Sequence, residues 1–178
     1  SVNIKIKGQF LRRPLSVCDA YENTLVIIYK VVGNGTEQMS KMAVGEVLDV
    51  LTGLGNGYDL SLSGERPLLL GGGVGVPPLY MLAKELIKQG KQVSVILGFN
   101  NKDEVFYEQE FKSLGCDVTV TTVDGSRGIK GFVTNALESF PDAAYFYTCG
   151  PEPMLKAVYK TSATSGQMSF EKRMGCGF

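Results

Sequence analysis

The sequence contains no histidine and no tryptophan. Without histidine the chain lacks the usual general base at neutral pH and the most common zinc ligand. It can therefore be neither a Ser-His-Asp hydrolase nor an enzyme with a histidine-bound zinc ion. Any chemistry that it carries must come mostly from a bound cofactor.

The sequence also lacks an excess of positive or negative charge and any long apolar run. The 178 residues include 18 Lys plus Arg and 18 Asp plus Glu, so the formal net charge is zero and gives no sign of a nucleic-acid partner. No apolar run approaches the ~20 residues of a membrane span, and the first residues have a strand pattern rather than that of a signal peptide. The four cysteines have no disulfide-scaffold spacing, which predicts a reducing, cytoplasmic location. They are Cys18, Cys116, Cys149 and Cys176.

The first part of the chain has the pattern of β-strands. Val2, Ile4 and Ile6 alternate with polar residues, and residues 24–32 form a β-branched run that ends at a turn over 33–36. A further short strand is expected within residues 46–51. We predict a β-barrel domain over residues 1–63. Because strands are few and no Met begins the chain, we expect a fragment of a longer polypeptide whose barrel is incomplete.

From residue 64 to residue 163 strands alternate with helices. Strands are expected at 68–70, 91–98, 116–123 and 143–149, and helices from Pro77 and at 102–114, 130–140 and 152–159. This alternation predicts an α/β domain with a parallel sheet. Ligands of such a sheet bind at the carboxyl ends of the strands, where two turns rich in Gly and Pro occur.

The most informative of these turns follows the apolar run 68–70. Gly71, Gly72, Gly73 and Gly75 precede a helical segment that begins with prolines, the local geometry that binds a pyrophosphate. It is not the usual dinucleotide fingerprint, since Val76 occupies the third glycine position and no acidic residue ends the next strand. A tight turn without a ligand is the alternative interpretation.

Three separated motifs resemble those of the ferredoxin–NADP reductase superfamily. Residues 13–16 (Arg-Pro-Leu-Ser) resemble its flavin motif, residues 71–77 its pyridine-nucleotide turn, and residues 149–154 its Cys-Gly-Pro-x-x-Met nicotinamide motif. The resemblance implies a ferredoxin reductase-like fold, with a FAD-binding barrel and an NAD-binding α/β domain. The cofactor-binding residues that it implies are Arg13, Pro14, Leu15, Ser16, Ile28, Tyr29, Lys30, Gly35, Thr36, Gly71, Gly72, Gly73, Gly75, Val76, Pro77, Cys149, Gly150, Pro151 and Met154.

The resemblance also implies roles. Arg13 would pair with the FAD pyrophosphate, while Ser16 and Cys149 would be catalytic, Ser16 near flavin N5 and Cys149 beside the nicotinamide. Gly35 and Thr36 would cradle phosphate or ribityl groups. Leu15 departs from the aromatic residue of many relatives. Taken one at a time, these residues have simpler interpretations: a solvated arginine, a packing tyrosine at position 29 and a buried thiol.

The last residues of the sequence indicate one particular family within this superfamily. Residues 171–178 resemble the lead-in to a four-cysteine iron–sulfur loop, as in the electron-transfer subunits of two-component dihydroorotate dehydrogenases. Cys176 would be the first [2Fe–2S] ligand, and residues 164–178 would lead into a cluster domain that this sequence does not contain. The resemblance implies FAD, NAD(H) and, in the full-length protein, the cluster. It also implies an FMN-containing dihydroorotate dehydrogenase catalytic subunit as partner, in a hetero-oligomer of heterotetrameric type.

Several alternatives stay open. NAD is preferred over NADP because no arginine ends the second strand of the α/β domain, although Lys102 lies nearby. The chain could be the flavin subunit of a ferredoxin:NADP oxidoreductase or a sulfhydrogenase. It could also be a non-catalytic nucleotide-binding module.

Overall fold

The computed structural model describes residues 1–169 and separates them into two units, residues 1–57 and a second unit that begins at Tyr58. The functional domains expected at 1–63, 64–163 and 164–178 stay predictions. Within residues 1–169, none of the helices combines the length and the hydrophobicity that a bilayer-spanning segment requires.

The first unit is built from short antiparallel strands. The strands β2, β1 and β5 form a three-stranded sheet in that order, while β3 and β4 form a hairpin. The described residues of this unit contain no closed barrel, in agreement with the predicted incomplete one. The elements are β1 (Val2–Lys5), β2 (Arg13–Leu15), β3 (Asp19–Tyr21), β4 (Thr24–Val26), α1 (Asn34–Ser40) and β5 (Asp49–Leu51).

The core of this unit follows the alternation in its first strand. Val2 and Ile4 point inward from β1, and Ile6 continues the pattern, so all three pack with Met39 of α1. Cys18 of this unit is also fully buried.

Two predictions for this unit were wrong. The β-branched run is a strand only as far as Val26, because its partner β3 has three residues and the ladder ends at the Asp19–Val26 pair. The segment 33–36, predicted as a turn, is instead the start of a helix, because α1 begins at Asn34. The Thr36 hydroxyl accepts hydrogen bonds from the amides of Val32 (2.9 Å) and Gly33 (3.2 Å), which stabilises the start of that helix.

The second unit contains a six-stranded parallel sheet in the order β11-β10-β6-β7-β8-β9. This confirms the predicted α/β architecture. Its elements are β6 (Pro67–Gly72), α2 (Val76–Lys88), β7 (Ser94–Phe99), α3 (Glu108–Ser113), β8 (Asp117–Thr122), β9 (Ile129–Lys130), β10 (Tyr145–Cys149), α4 (Glu152–Thr161) and β11 (Gly166–Ser169).

Both faces of the sheet are covered, as the continuous apolar run in β6 requires. Leu69 packs with α2 on one face, while Leu68 and Leu70 pack on the other face with Val158 of α4. Helix α2 buries Leu79, Leu82, Ala83 and Leu86, which recur at the spacing of a single helical face. Cys116 and Phe99 are buried in the same core as Leu69 and α2.

The predicted helix over 130–140 was wrong. Ile129 and Lys130 form β9 beside the end of β8, and residues Val133–Ser139 form a 3₁₀ helix. Gly131 adopts a φ of +124°, which interrupts any continuous helix between these two elements. The strand β11 was not predicted.

Candidate functional site at the carboxyl edge of the sheet

The strand order places a switch point between β6 and β10. The chain leaves β6 toward β7 and β8 on one side and returns to β10 on the other side. In a parallel sheet the crevice outside such a point is the usual ligand site. Two of the predicted motifs lie there, because β6 ends in the glycine turn and β10 ends at Cys149.

The glycine turn is a single 3₁₀ turn that leads directly into α2. Gly73 to Gly75 form the turn, and Pro77 and Pro78 occupy the first turn of the helix. Since proline has no N–H group, the amides that can face an anion at this helix start come from the 73–75 turn. Gly73 has a φ of +51°, a conformation that favours glycine.

The second motif starts α4 from the end of the neighbouring strand. Pro151 is the N-cap of α4, and Pro153 lies in its first turn. Cys149 and Gly150 are half-buried, whereas Pro151 is exposed. The Met154 side chain reaches back from α4 to the end of β6.

The two turns are in direct contact. Gly71 pairs with Cys149 in the parallel register of β6 and β10. A Cβ atom on Gly75 would overlap the carbonyl group of Cys149 and lie 2.6 Å from the amide nitrogen of Gly150. A Cβ atom on Gly150 would lie 2.7 Å from Cε of Met154. The structure thus brings the predicted pyrophosphate and nicotinamide motifs together through their backbones.

A group of tyrosines supports the end of β10. The Tyr58 hydroxyl donates a hydrogen bond to the carbonyl of Thr148 (2.9 Å), and the Tyr147 hydroxyl donates one to the carbonyl of Asp59 (2.7 Å). Burial raises the pKa of Tyr58 far above its usual value, and the neighbouring Cys149 raises it further. Burial also raises the pKa of Tyr147 to about 12.

An acidic side chain folds back to the end of β7. No acidic residue ends the strand itself, as expected, but a carboxylate oxygen of Glu104 accepts hydrogen bonds from the backbone amide (3.2 Å) and side-chain amide (2.8 Å) of Asn100. A 3₁₀ turn over Lys102–Glu104 returns the chain to the strand end. The signal was available in Asn101, whose side chain accepts a hydrogen bond from the amide of Asp103 at the start of that turn.

In the first unit, the structure brings Arg13 and Gly35 together. A Cβ atom on Gly35 would lie 2.8 Å from Cζ of the Arg13 guanidinium group, so only glycine allows this approach. The guanidinium group also donates to the Gln9 side chain (2.8 Å) and to the Leu11 carbonyl. Three contacts fix its orientation, while the side chain stays half-buried.

The other predicted flavin residues have mixed surroundings. Leu15 and Tyr29 pack against the core of the first unit, whereas Pro14, Ser16 and Lys30 are exposed. Ile28 is half-buried. The Thr36 hydroxyl donates to the Gly33 carbonyl (2.9 Å), so its proton is already used within α1. Cys176, the predicted cluster ligand, lies outside the described residues.

Comparisons with known proteins agree with the predicted fold. Residues 69–160 match the family described as the oxidoreductase NAD-binding domain. The chain is 48% identical to the electron transfer subunit of dihydroorotate dehydrogenase B (NAD(+)) from Fusobacterium nucleatum, with 99% of this chain and 72% of that protein covered. The same subunit from Geobacillus sp. strain WCH70 is 46% identical, with 99% and 72% covered.

The fold is also similar to that of a solved structure. An NADH-dependent reduced ferredoxin–NADP oxidoreductase is 31% identical and superposes with a TM-score of 0.86. The match covers 97% of this chain and 65% of that chain. The similarity extends over both units and supports the predicted ferredoxin reductase-like fold.

The contact between the two turns can be tested with a single methyl group. Gly75→Ala places a Cβ atom against the backbone of Cys149 and Gly150, and backbone cannot rotate away as a side chain can. We expect a loss of about 3 kcal/mol in the free energy of unfolding, measured by urea denaturation. Gly73→Ala is the control. Its Cβ atom meets no neighbour within 4 Å, so only the left-handed backbone should contribute, at about 1 kcal/mol. Equal losses for the two variants would contradict the proposed crowding.

Proposed function

Because the chain belongs to the family of electron transfer subunits of dihydroorotate dehydrogenase B, we propose that it is the flavin-dependent, NAD-linked electron carrier of such a complex. The complex would oxidise dihydroorotate to orotate in pyrimidine biosynthesis. The observation that carries the proposal is the switch point where the glycine turn meets Cys149. A flavin exchanges a hydride with NAD and single electrons with iron–sulfur centres, which is the chemistry that this chain itself lacks.

The dinucleotide would bind along the carboxyl edge of β6 and β10. The amides of the 73–75 turn and the N-terminus of α2 would hold its diphosphate, because both present partial positive charge. Gly71, Gly72 and Val76 would border the diphosphate through backbone. Cys149 and Gly150 would border the nicotinamide, with Pro151 and Met154 limiting the pocket.

The flavin would be held by the first unit. Arg13 fits the FAD pyrophosphate, since its guanidinium group is oriented by Gln9 and remains half-buried, and the bare backbone of Gly35 lets it lie close to α1. Ser16 is exposed and would donate a hydrogen bond from its hydroxyl group near flavin N5. Residues 28–30 would border the ring through backbone and side-chain contacts.

The proposed complex also contains an iron–sulfur cluster and a partner subunit. Cys176 would supply the first thiolate of a [2Fe–2S] centre, which takes four cysteine ligands. The partner would be an FMN-containing catalytic subunit, in a heterotetramer.

The direct test is the visible absorption spectrum of the full-length protein, purified from its host, before and after anaerobic addition of NADH. We expect flavin bands that bleach with NADH over a broad iron–sulfur absorption. Arg13→Ala should weaken FAD binding roughly 30-fold, because hydrogen bonds to charged groups contribute about 1.5–3 kcal/mol. Arg12→Ala is the matched control. Arg12 forms a surface ion pair with Asp49 (2.8 Å), so its loss should leave FAD bound.

Each unexpected spectrum has a definite meaning. Flavin bands without the iron–sulfur absorption would still support an NAD-linked reductase but would exclude Cys176 as a cluster ligand. A colourless protein would indicate a nucleotide-binding module without redox activity. Co-purification with a hydrogenase or a ferredoxin oxidoreductase subunit, instead of an FMN protein, would reject dihydroorotate as the electron source.

Specificity for NAD over NADP can be tested at the end of β7. Glu104→Gln keeps an oxygen that can accept from Asn100 but removes the negative charge that a 2′-phosphate would approach. We expect NADPH to bind roughly fivefold more tightly to this variant, with NADH affinity changed far less. Glu110→Gln, the same charge change on α3, should alter neither affinity. Lys102→Ala should leave NADH affinity nearly unchanged, and a large loss would mean that the adenosine end binds elsewhere.

A further inference from the structure

Tyr58 is the first residue of the second unit and lies beside the end of β10. Its ring packs edge-on against Tyr147, with ring centroids 5.4 Å apart and an interplanar angle of 80°. Its hydroxyl group crosses to the last peptide units of the strand and donates to the carbonyl of Thr148 at 2.9 Å. The bond joins residues 90 positions apart in the sequence.

The same hydroxyl group faces the thiol of Cys149. Cys149 follows Thr148, lies two residues after Tyr147 and therefore points to the same side of the sheet as the Tyr147 ring. The side chains of Cys149 and Ser169 both lie close enough to the Tyr58 hydroxyl to influence its proton. Ser169 pairs with Cys149 from β11, so the three polar groups meet at one point of the sheet edge.

The Tyr58 phenol keeps its proton throughout the physiological range. Burial disfavours the phenolate form, and a negative charge on Cys149 would disfavour it further, so the pKa of Tyr58 lies far above its usual value. A permanently protonated phenol can donate only one hydrogen bond at a time. Its carbonyl acceptor at Thr148 and the adjacent sulfur are the groups within reach.

We propose that Tyr58 is a positioning residue for Cys149: its hydroxyl group donates to the carbonyl of Thr148 while Cys149 is a neutral thiol, and its single proton turns to the sulfur when Cys149 ionises, which stabilises the thiolate. This proposal rests on the proposed function, in which Cys149 borders the nicotinamide. Gly75 lies against the carbonyl of Cys149 itself. The two contacts together determine where the sulfur atom stands relative to a bound dinucleotide.

The hydroxyl group can be separated from the ring. The substitution Tyr58→Phe retains the edge-on contact with Tyr147, so the packing is conserved while the hydrogen-bond donor is lost. Tyr147→Phe is the matched control. It removes a hydroxyl group from the same ring pair, but that hydroxyl group donates to the carbonyl of Asp59. Asp59 is exposed, so water can replace the lost donor.

The experiment measures the alkylation rate of Cys149 by iodoacetamide as a function of pH, in the full-length protein, by mass spectrometry of the peptide that contains Cys149. In Tyr58→Phe we expect the pH of half-maximal rate to rise by about one unit, roughly a tenfold loss of thiolate at neutral pH. In the same variant the rate of flavin reduction by NADH should fall at least threefold, with NADH affinity nearly unchanged. Tyr147→Phe should alter neither quantity.

Failure of this proposal and failure of the proposed function give different results. An unchanged alkylation profile in Tyr58→Phe, or an equal shift in Tyr147→Phe, would overturn the role of Tyr58. If instead NAD⁺ does not protect Cys149 from alkylation in the wild-type protein, the placement of the nicotinamide is wrong. In that case, a shifted profile in Tyr58→Phe would still establish contact between the hydroxyl group and the thiol.

Discussion

The contact between Gly75 and the carbonyl of Cys149 is the constraint on which the candidate site depends. It joins the 73–75 turn that leads into α2 to the end of β10, with no side chain between them. The parallel pairing of Gly71 with Cys149 brings the strand ends level, so the two turns can meet. A larger residue at position 75 would separate the proposed pyrophosphate turn from the proposed nicotinamide segment. The glycines therefore set the distance between the two turns and would also leave room for a phosphate.

The packed cores on the two faces of the sheet hold this contact in place. Adjacent residues of β6 are buried on opposite faces, Leu69 beneath α2 and Leu70 beneath α4. Both helices therefore pack on β6, and each helix begins at one of the two turns that form the candidate site. Because interiors are close-packed, a shift of either helix would create a cavity or an overlap in its cluster. The position of the turns follows from the burial of these leucines.

The parts of the fold that were predictable are those encoded locally. The apolar run 68–70, the glycines after it and the spacing of Leu79, Leu82 and Leu86 together predict β6, the turn and α2. The predictions that failed concern segments whose structure depends on strand pairing and on capped turns. The strand from Thr24 is short because its partner is short, and Glu104 reaches the end of β7 only through a turn that its neighbours cap. Gly131 and the end of β8 determine why residues 129–139 are not one helix.

A chain without histidine can serve a redox reaction if its residues need only hold cofactors in place. The contacts around Cys149 have this character. Gly71 fixes the strand end by register, Gly75 limits the carbonyl of Cys149, and Tyr58 anchors the preceding carbonyl. Two of the three contacts involve backbone alone and lose no side-chain entropy on ordering. The same economy applies in the first unit, where glycine at position 35 lets one arginine approach the backbone and keep a fixed orientation. The sites therefore depend on a few glycines and hydroxyl groups whose importance becomes visible only when distant parts of the chain are brought together.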